Sequence, residues 1–139
     1  MADPSALEAL VADHKRGVLV TLKRNGRPQL SNIAYGVDGR VVRISVTADR
    51  AKTKNLQRDP RASLHVTTPD FWRWAVAEGT ADLSPVTSEP GDDAGCELLT
   101  LHDAVQQAPH PDPGEFFAAM VRDRRQVVRL HLERYYGQA

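Results

Sequence analysis

The stretch GVLVTLKRNGRPQLSN at residues 17–32 decides how the rest of this sequence is interpreted. Before the Asn25-Gly26 pair, side chains alternate with a period of two, which is typical of a half-buried β-strand. Asn and Gly both tolerate the positive φ angles of a type I′ turn, so the pair predicts a tight hairpin. An antiparallel sheet is therefore the expected framework.

The remaining strand signals extend this hairpin. The second strand continues to about Val37, and Asp38-Gly39 repeats the turn chemistry before a third strand, which completes a three-stranded meander. Strands are predicted at residues 17–23, 27–37, 40–47, 61–67, 71–83 and 126–132. Short helices are predicted at residues 3–16, 49–58, 93–107 and 115–124.

Six antiparallel strands with short peripheral helices indicate a mainly β, α+β fold. Because the helices are excursions between strands, a closed or nearly closed antiparallel barrel is favoured over a parallel α/β sheet. The length of 139 residues suits one hydrophobic core. Residues 1–139 are therefore expected to form a single domain.

Composition and missing motifs remove several classes of protein. No segment approaches the ~18 uninterrupted apolar residues of a membrane span, and the first residues lack the features of a secretory signal. Cys96 is the only cysteine, which excludes an internal disulfide and fits a reducing compartment. The prediction is a cytoplasmic protein with no membrane partner.

The chemistry of the site is not revealed by a catalytic motif. The sequence contains no Walker loop, no nucleophile elbow and no His-Glu-x-x-His helix, so the catalytic residue is unknown. The histidines stand on different elements with no i, i+4 pair, and no metal site is predicted. They are His14, His65, His102, His110 and His131.

The clearest chemical signal is a basic segment after the third strand. Residues 50–61 carry five positive charges against one carboxylate, although the whole chain is neutral. A helix N-terminus offers free N–H groups, and Arg50, Lys52 and Thr53 add two cations and a hydroxyl. A phosphate site is predicted, with a solvated helix face as the alternative. Nucleic acid is disfavoured as a partner because the overall charge balance is not basic.

A second polar feature lies on the second strand. Gln29 and Ser31 share one face, and Leu30 and Asn32 share the other. Amide and hydroxyl groups side by side can bind the polar edge of a heterocycle. An exposed strand face is the competing interpretation.

Three segments in this order resemble the flavin/deazaflavin oxidoreductase family: GRPQLSN at 26–32, RAKTKNLQRDPRAS at 50–63 and WAVAEGTA at 74–81. The similarity runs from Gly17 to Gly137 and points to the actinobacterial F420-binding group once classed with pyridoxamine 5′-phosphate oxidases. The segment from Pro85 to Pro113 departs most from the family pattern.

The resemblance implies a split β-barrel of the FMN-binding type. It also implies a homodimer with two cofactor sites at the subunit interface, and F420 as the cofactor, with FMN as the alternative. By position, the cofactor contacts would be Arg50, Lys52, Thr53 and Asn55 at the phosphate, Gln29, Ser31 and Asn32 near the ring system, and Trp72, Trp74 and Ala75 at the border. Candidates for the acidic tail of F420 are Arg122, Arg124 and Arg125.

The implied activity is hydride transfer between F420 and an unsaturated small-molecule substrate. The protein would contribute positioning and electrostatics, which explains the missing catalytic motif. Tyr35, His65 or solvent would supply the proton. The alternatives are an FMN-dependent enzyme of the pyridoxamine 5′-phosphate oxidase type and a non-catalytic F420 carrier.

Overall fold

The computed structural model describes residues 3–139; residues 1 and 2, where the predicted domain begins, lie outside this range. The elements are α1 (Pro4–Ala12), β1 (Arg16–Leu22), β2 (Pro28–Ala34), β3 (Gly36–Asp38), β4 (Val41–Thr47), α2 (Ala51–Arg58), β5 (Arg61–Thr67), β6 (Trp74–Leu83), α3 (Asp93–Gln106), α4 (Pro113–Arg122) and β7 (Arg125–Gln138). Among the described residues, no helix combines the length and apolarity that crossing a bilayer demands.

The strands form one curled antiparallel sheet. Its order is β2-β1-β5-β6-β7-β4-β3, and the two end strands are separated in sequence by Tyr35 alone. Residues 28–34 pair with β1 and residues 36–38 pair with β4, so both ends of the sheet lie on one stretch of chain. The predicted split β-barrel is confirmed, with seven strands instead of six because the second predicted strand is interrupted.

The interruption at Tyr35 has a clear cause. Its backbone N–H donates to the carbonyl oxygen of Lys15 at 2.9 Å, and its hydroxyl donates to the carbonyl oxygen of Val11 at 2.7 Å. The side chain is fully buried in the main core, and burial raises the pKa of the Tyr35 phenol. Tyr35 therefore fastens α1 to the barrel and is not available to deliver a proton to a ligand.

The main core fills the barrel and continues under α1. The inward-facing apolar residues of β4 and β5 are buried, as their alternation predicted: Val42, Ile44, Val46, Ala62, Leu64 and Val66. Helix α1 begins as predicted, with Asp3 as N-cap and Pro4 in the first turn. It adds Leu7, Leu10 and Val11 to the same core.

Two predicted boundaries are wrong in ways that matter for the site. Helix α2 begins at Ala51, and its N-cap is Arg50, whose side chain caps nothing. Strand β6 begins at Trp74 instead of Phe71, because Phe71 adopts a φ of 73° inside a turn. In this turn the N–H of Trp72 donates to an Asp70 carboxylate oxygen at 3.1 Å.

Helices α3 and α4 form a second, smaller cluster on the outside of the barrel. Leu98, Phe116 and Val127 are its buried members. A carboxylate of α3 fastens the cluster to the sheet, since Glu97 accepts hydrogen bonds from Arg43 at 3.0 Å and from Arg129 at 2.6 Å. The excursion between β6 and β7 is thus held against the barrel by apolar packing and ion pairs.

Gly79 is a position where any side chain should damage the barrel. It lies where β6 and β7 shift register, and a Cβ there would collide with the carbonyl oxygen of His131. We expect Gly79→Ala to lower the free energy of unfolding by about 2–3 kcal/mol. Urea unfolding followed by tryptophan fluorescence measures this change.

The matched control is Gly114→Ala in the first turn of α4. The nearest atom to a Cβ there is a carboxylate oxygen of Asp112 at 3.6 Å, and alanine favours a helix by about 0.5–1 kcal/mol over glycine. Equal destabilisation by the two substitutions would contradict the role given to Gly79.

Candidate functional site

A cavity of about 570 Å³ opens where β2 and β4 separate at the split of the barrel. These two strands are not hydrogen-bonded neighbours in the sheet, which leaves space between them. Helices α3 and α4 form the opposite wall. The lining includes Asn32, Ser45, Thr47, Arg50, Lys52, Leu98, Leu101, His102, Gln106, Phe116, Met120 and Arg125.

Three cations line this cavity. Arg50 and Lys52 come from the start of α2, and Arg125 comes from the start of β7. None of the three forms an ion pair with a carboxylate among residues 3–139. Arg125 Nε is buried and has no hydrogen-bond partner. A buried donor without a partner beside other positive charges indicates a place for an anion.

The electrostatics of Lys52 agree with this interpretation. Burial is the main cause that lowers the pKa of its ammonium group, and the positive charges of Arg50 and Arg125 lower it further. Like charges held together in a partly buried site are unfavourable until a negative group joins them. A metal cation is the wrong ligand for this donor set.

The backbone of α2 adds donors at the same end. Because no side chain caps this helix, the N–H groups of its first turn remain available, and they carry the positive end of the helix dipole. The Nε of Arg50 donates to the Thr47 hydroxyl at 3.2 Å, which directs that guanidinium along the cavity wall. The arrangement can hold a phosphate between helix and cations.

Two other predicted phosphate residues have internal partners. Thr53 is fully buried, and its hydroxyl donates to the carbonyl oxygen of Thr47 at 2.8 Å. Asn55 is buried and donates to the Thr21 hydroxyl at 3.1 Å. Both side chains therefore fasten α2 to the barrel, and direct contact with a cofactor stays a prediction for them.

The residues predicted near the ring system are divided by strand geometry. Asn32 lines the cavity. Gln29 and Ser31 lie opposite Thr21 and Leu19 of the neighbouring strand β1. Because side chains alternate along a strand, they lie on the face of β2 opposite to that of Asn32. They are not among the residues that line the cavity.

The predicted aromatic border lies in a different cavity of the single chain. Trp72 and Trp74 line a space of about 550 Å³ together with His65, whereas Ala75 is buried in the main core. A third cavity, of about 490 Å³, is lined by both Asn32 and His65. The three cavities therefore follow one another across the outer face of the sheet.

The three arginines predicted to bind the acidic tail of F420 do not all lie at the cavity. Arg122 lies 3.9 Å from the carboxylate of Asp123, and Arg124 is exposed with a left-handed backbone. Only Arg125 of this group joins Arg50 and Lys52 at the cavity. The sequence also did not predict that α3 and α4 form a wall of this cavity. No local pattern marks residues that come together only after folding.

Comparisons with known proteins agree with this geometry. A family model described as pyridoxamine 5′-phosphate oxidase matches residues 4–139. A solved structure of an F420 reductase is 25% identical, with a TM-score of 0.73 and coverage of 96% of this chain and 98% of that chain.

Two further structures show the fold alone, since they are less than a quarter identical. A conserved hypothetical protein from Mycobacterium tuberculosis is 23% identical, with a TM-score of 0.75 and coverage of 99% of this chain and 85% of that chain. A haem-binding protein from Mycobacterium smegmatis is 24% identical, with a TM-score of 0.67 and coverage of 99% and 55%.

Removing one cation should stabilise the ligand-free protein. Because the folded chain lowers the pKa of Lys52, the folded state binds fewer protons than the unfolded state, and stability rises with pH between the two pKa values. At neutral pH we expect Lys52→Met to raise Tm in a buffer free of phosphate and sulfate. Inorganic phosphate should raise the Tm of the unaltered protein more than that of the variant.

Lys54→Met is the control for these melting experiments. Lys54 is exposed on the same helix and is not among the residues that line the cavity, so Tm and its response to phosphate should both stay as in the unaltered protein. A phosphate effect of equal size in all three proteins would argue against the anion site.

Proposed function

The chain belongs to the pyridoxamine 5′-phosphate oxidase family, and on that premise we propose that it is an F420-dependent oxidoreductase that acts on an unsaturated small-molecule substrate. The observation that carries this proposal is the group of three cations, Arg50, Lys52 and Arg125, which have no carboxylate partner within the described chain. A phosphorylated cofactor supplies the missing negative charge.

The residues of the cavity fit such a cofactor. Arg50 can bind two phosphate oxygens with its guanidinium, and Lys52 adds a point charge beside the free N–H groups of α2. Asn32 offers an amide to the ring system, and α3 and α4 provide apolar walls through Leu98 and Phe116. The bound deazaflavin would supply hydride chemistry at its C5 position. The protein binds, orients and shields the reacting groups.

Charge and similarity favour F420 over FMN. Exposed Arg124 is next in sequence to Arg125, so a longer polyanionic tail would meet a further positive charge beside the phosphate site. The 25% identity to an F420 reductase supports the same choice. FMN remains the alternative because the phosphate site would serve it equally well. A protein that purifies yellow and keeps FMN through gel filtration would favour that cofactor.

Substitution of Arg50 and Lys52 tests the proposal directly. We expect Arg50→Ala/Lys52→Ala to weaken F420 binding by at least about a hundredfold, because two charge-assisted contacts of about 1.5–3 kcal/mol each are lost. Fluorescence titration of the purified protein with F420 and, separately, with FMN gives both dissociation constants in the same buffer.

Arg61→Ala is the matched control from the same basic segment. Arg61 is paired with Asp59 at 2.7 Å and is not among the cavity-lining residues, so its loss should leave F420 affinity unchanged. Unchanged affinity in the double variant would refute the phosphate site. Tighter binding of FMN than of F420 by the unaltered protein would favour the alternative, an FMN-dependent enzyme.

A homodimer would complete the site. The outer face of the sheet leaves large apolar side chains in solvent, with Leu30 60% and Tyr136 49% exposed. Trp72, in the turn before β6, is 76% exposed. Exposed apolar side chains grouped on one face are typical of an interface. A second copy on this face would bring its Trp72 towards the groove that begins at Asn32.

Leu30→Arg should separate the subunits without unfolding them, because the side chain is already exposed. Light scattering after gel filtration should give the mass of two chains for the unaltered protein and of one chain for the variant. Ala118→Arg adds the same charge at an exposed position of α4 and should stay dimeric. A monomeric unaltered protein would disprove the dimer.

A further inference from the structure

His102 is a titratable side chain in the cation-lined cavity that the proposed function does not use. It projects from α3 and lines the same space as Arg50 and Lys52. The ring nitrogens that have partners within the described chain belong to His14, His110 and His131. The imidazole of His102 is half-buried, and both of its nitrogens are free to meet a ligand.

Packing holds this ring in place. The centroid of the His102 ring lies 5.1 Å from that of Phe116 and 5.2 Å from that of His110. Phe116 is itself buried with Leu98 in the cluster of α3 and α4. Aromatic rings at these separations attract one another in tilted arrangements, so the orientation of His102 does not depend on a hydrogen bond.

His110 is engaged elsewhere. Its Nδ1 accepts a hydrogen bond from the backbone N–H of Asp112 at 3.0 Å. The backbone N–H of His110 donates to Asp103 at 2.9 Å. The His110 ring and the carboxylate of Asp103, which follows His102 in sequence, therefore both accept hydrogen bonds from backbone N–H groups of the loop after α3.

The other ionisable groups differ from His102 either in charge or in the cavity that they line. The cations Arg50, Lys52 and Arg125 line the same cavity as His102, and they carry positive charge but accept no hydrogen bond. His65 lines the cavity of Trp72 instead. Within one chain, His102 is thus the imidazole that shares the cavity of the cations.

We propose that His102 donates a hydrogen bond to a carbonyl oxygen on the ring system of the ligand whose phosphate Arg50 and Lys52 bind. The ligand class is a phosphorylated flavin or deazaflavin, so this inference rests on the proposed function. A neutral imidazole supplies one N–H donor and needs no charge for the contact. Segment 85–113, which departs from the family pattern, thereby contributes a ligand-binding contact to the site.

Histidine NMR on the unaltered chain tests the contact without an activity measurement. Imidazole C–H signals of 13C-histidine-labelled protein are followed during separate titrations with FMN and F420, and the signal of His102 is identified from the spectrum of His102→Gln. We expect the His102 signals to shift on binding. The signal of His131, whose ring is paired with Asp82 on the sheet, should stay in place.

Two substitutions separate the hydrogen bond from packing. His102→Phe keeps a ring against Phe116 but removes the donor, and it should weaken binding of both probes about tenfold. His102→Gln keeps an N–H donor and should retain affinity within about threefold of the unaltered protein. Thermal unfolding of each variant checks that the fold is retained.

Each outcome decides between the two proposals. Binding of FMN or F420 with unmoved His102 signals, or equal loss of affinity in both variants, would overturn the role of His102 alone. The proposed function would survive that result. Failure of the unaltered protein to bind either probe would overturn the proposed function and this inference together.

Discussion

Residues 28–38 form both end strands of the sheet, and their hydrogen bonding is the constraint on which this structure depends. The first part of this stretch pairs with β1 and the last part with β4, and Tyr35 marks the change between them. Because the chain pairs with β1 over residues 28–34 and with β4 only over residues 36–38, β2 and β4 are not hydrogen-bonded to each other, and the barrel is split between them. The cavity, its cations and its helical wall all lie at that split.

The cavity combines a charged end with an apolar wall. The cations are supported by rigid parts: Thr53 and Asn55 fasten α2 to the barrel through buried hydrogen bonds, and Arg125 begins a long strand. Holding like charges together without an anion lowers the stability of the folded chain, and this is a cost that proteins often accept at binding sites. A phosphate would reverse the effect by adding charge of the opposite sign.

The shared fold leaves the choice of ligand to its peripheral elements. The barrel is common to proteins named for F420 reduction and for haem binding, so the architecture alone does not select a chemistry. In this chain the excursion between β6 and β7 is fastened by Glu97 to Arg43 and Arg129. It thereby brings His102 and Phe116 to the side of the cavity that faces the cations.

The sequence by itself determined the elements whose signals are local. The hairpin at Asn25-Gly26, the alternation of β4 and β5, and the capped start of α1 were predictable because each depends on a few neighbouring residues. The predicted type I′ turn was wrong in detail, since Gly26 adopts a positive φ and Asn25 does not. The basic segment was equally visible, but not which of its charges line the cavity.

Only the tertiary structure decided how distant segments meet. It joined Arg125 to Arg50, turned Thr53 and Asn55 inward, separated the tryptophans from the cations and placed His102 in the cavity. The physical reason is that strand order and helix packing set these distances, and neither is encoded in a short window of sequence.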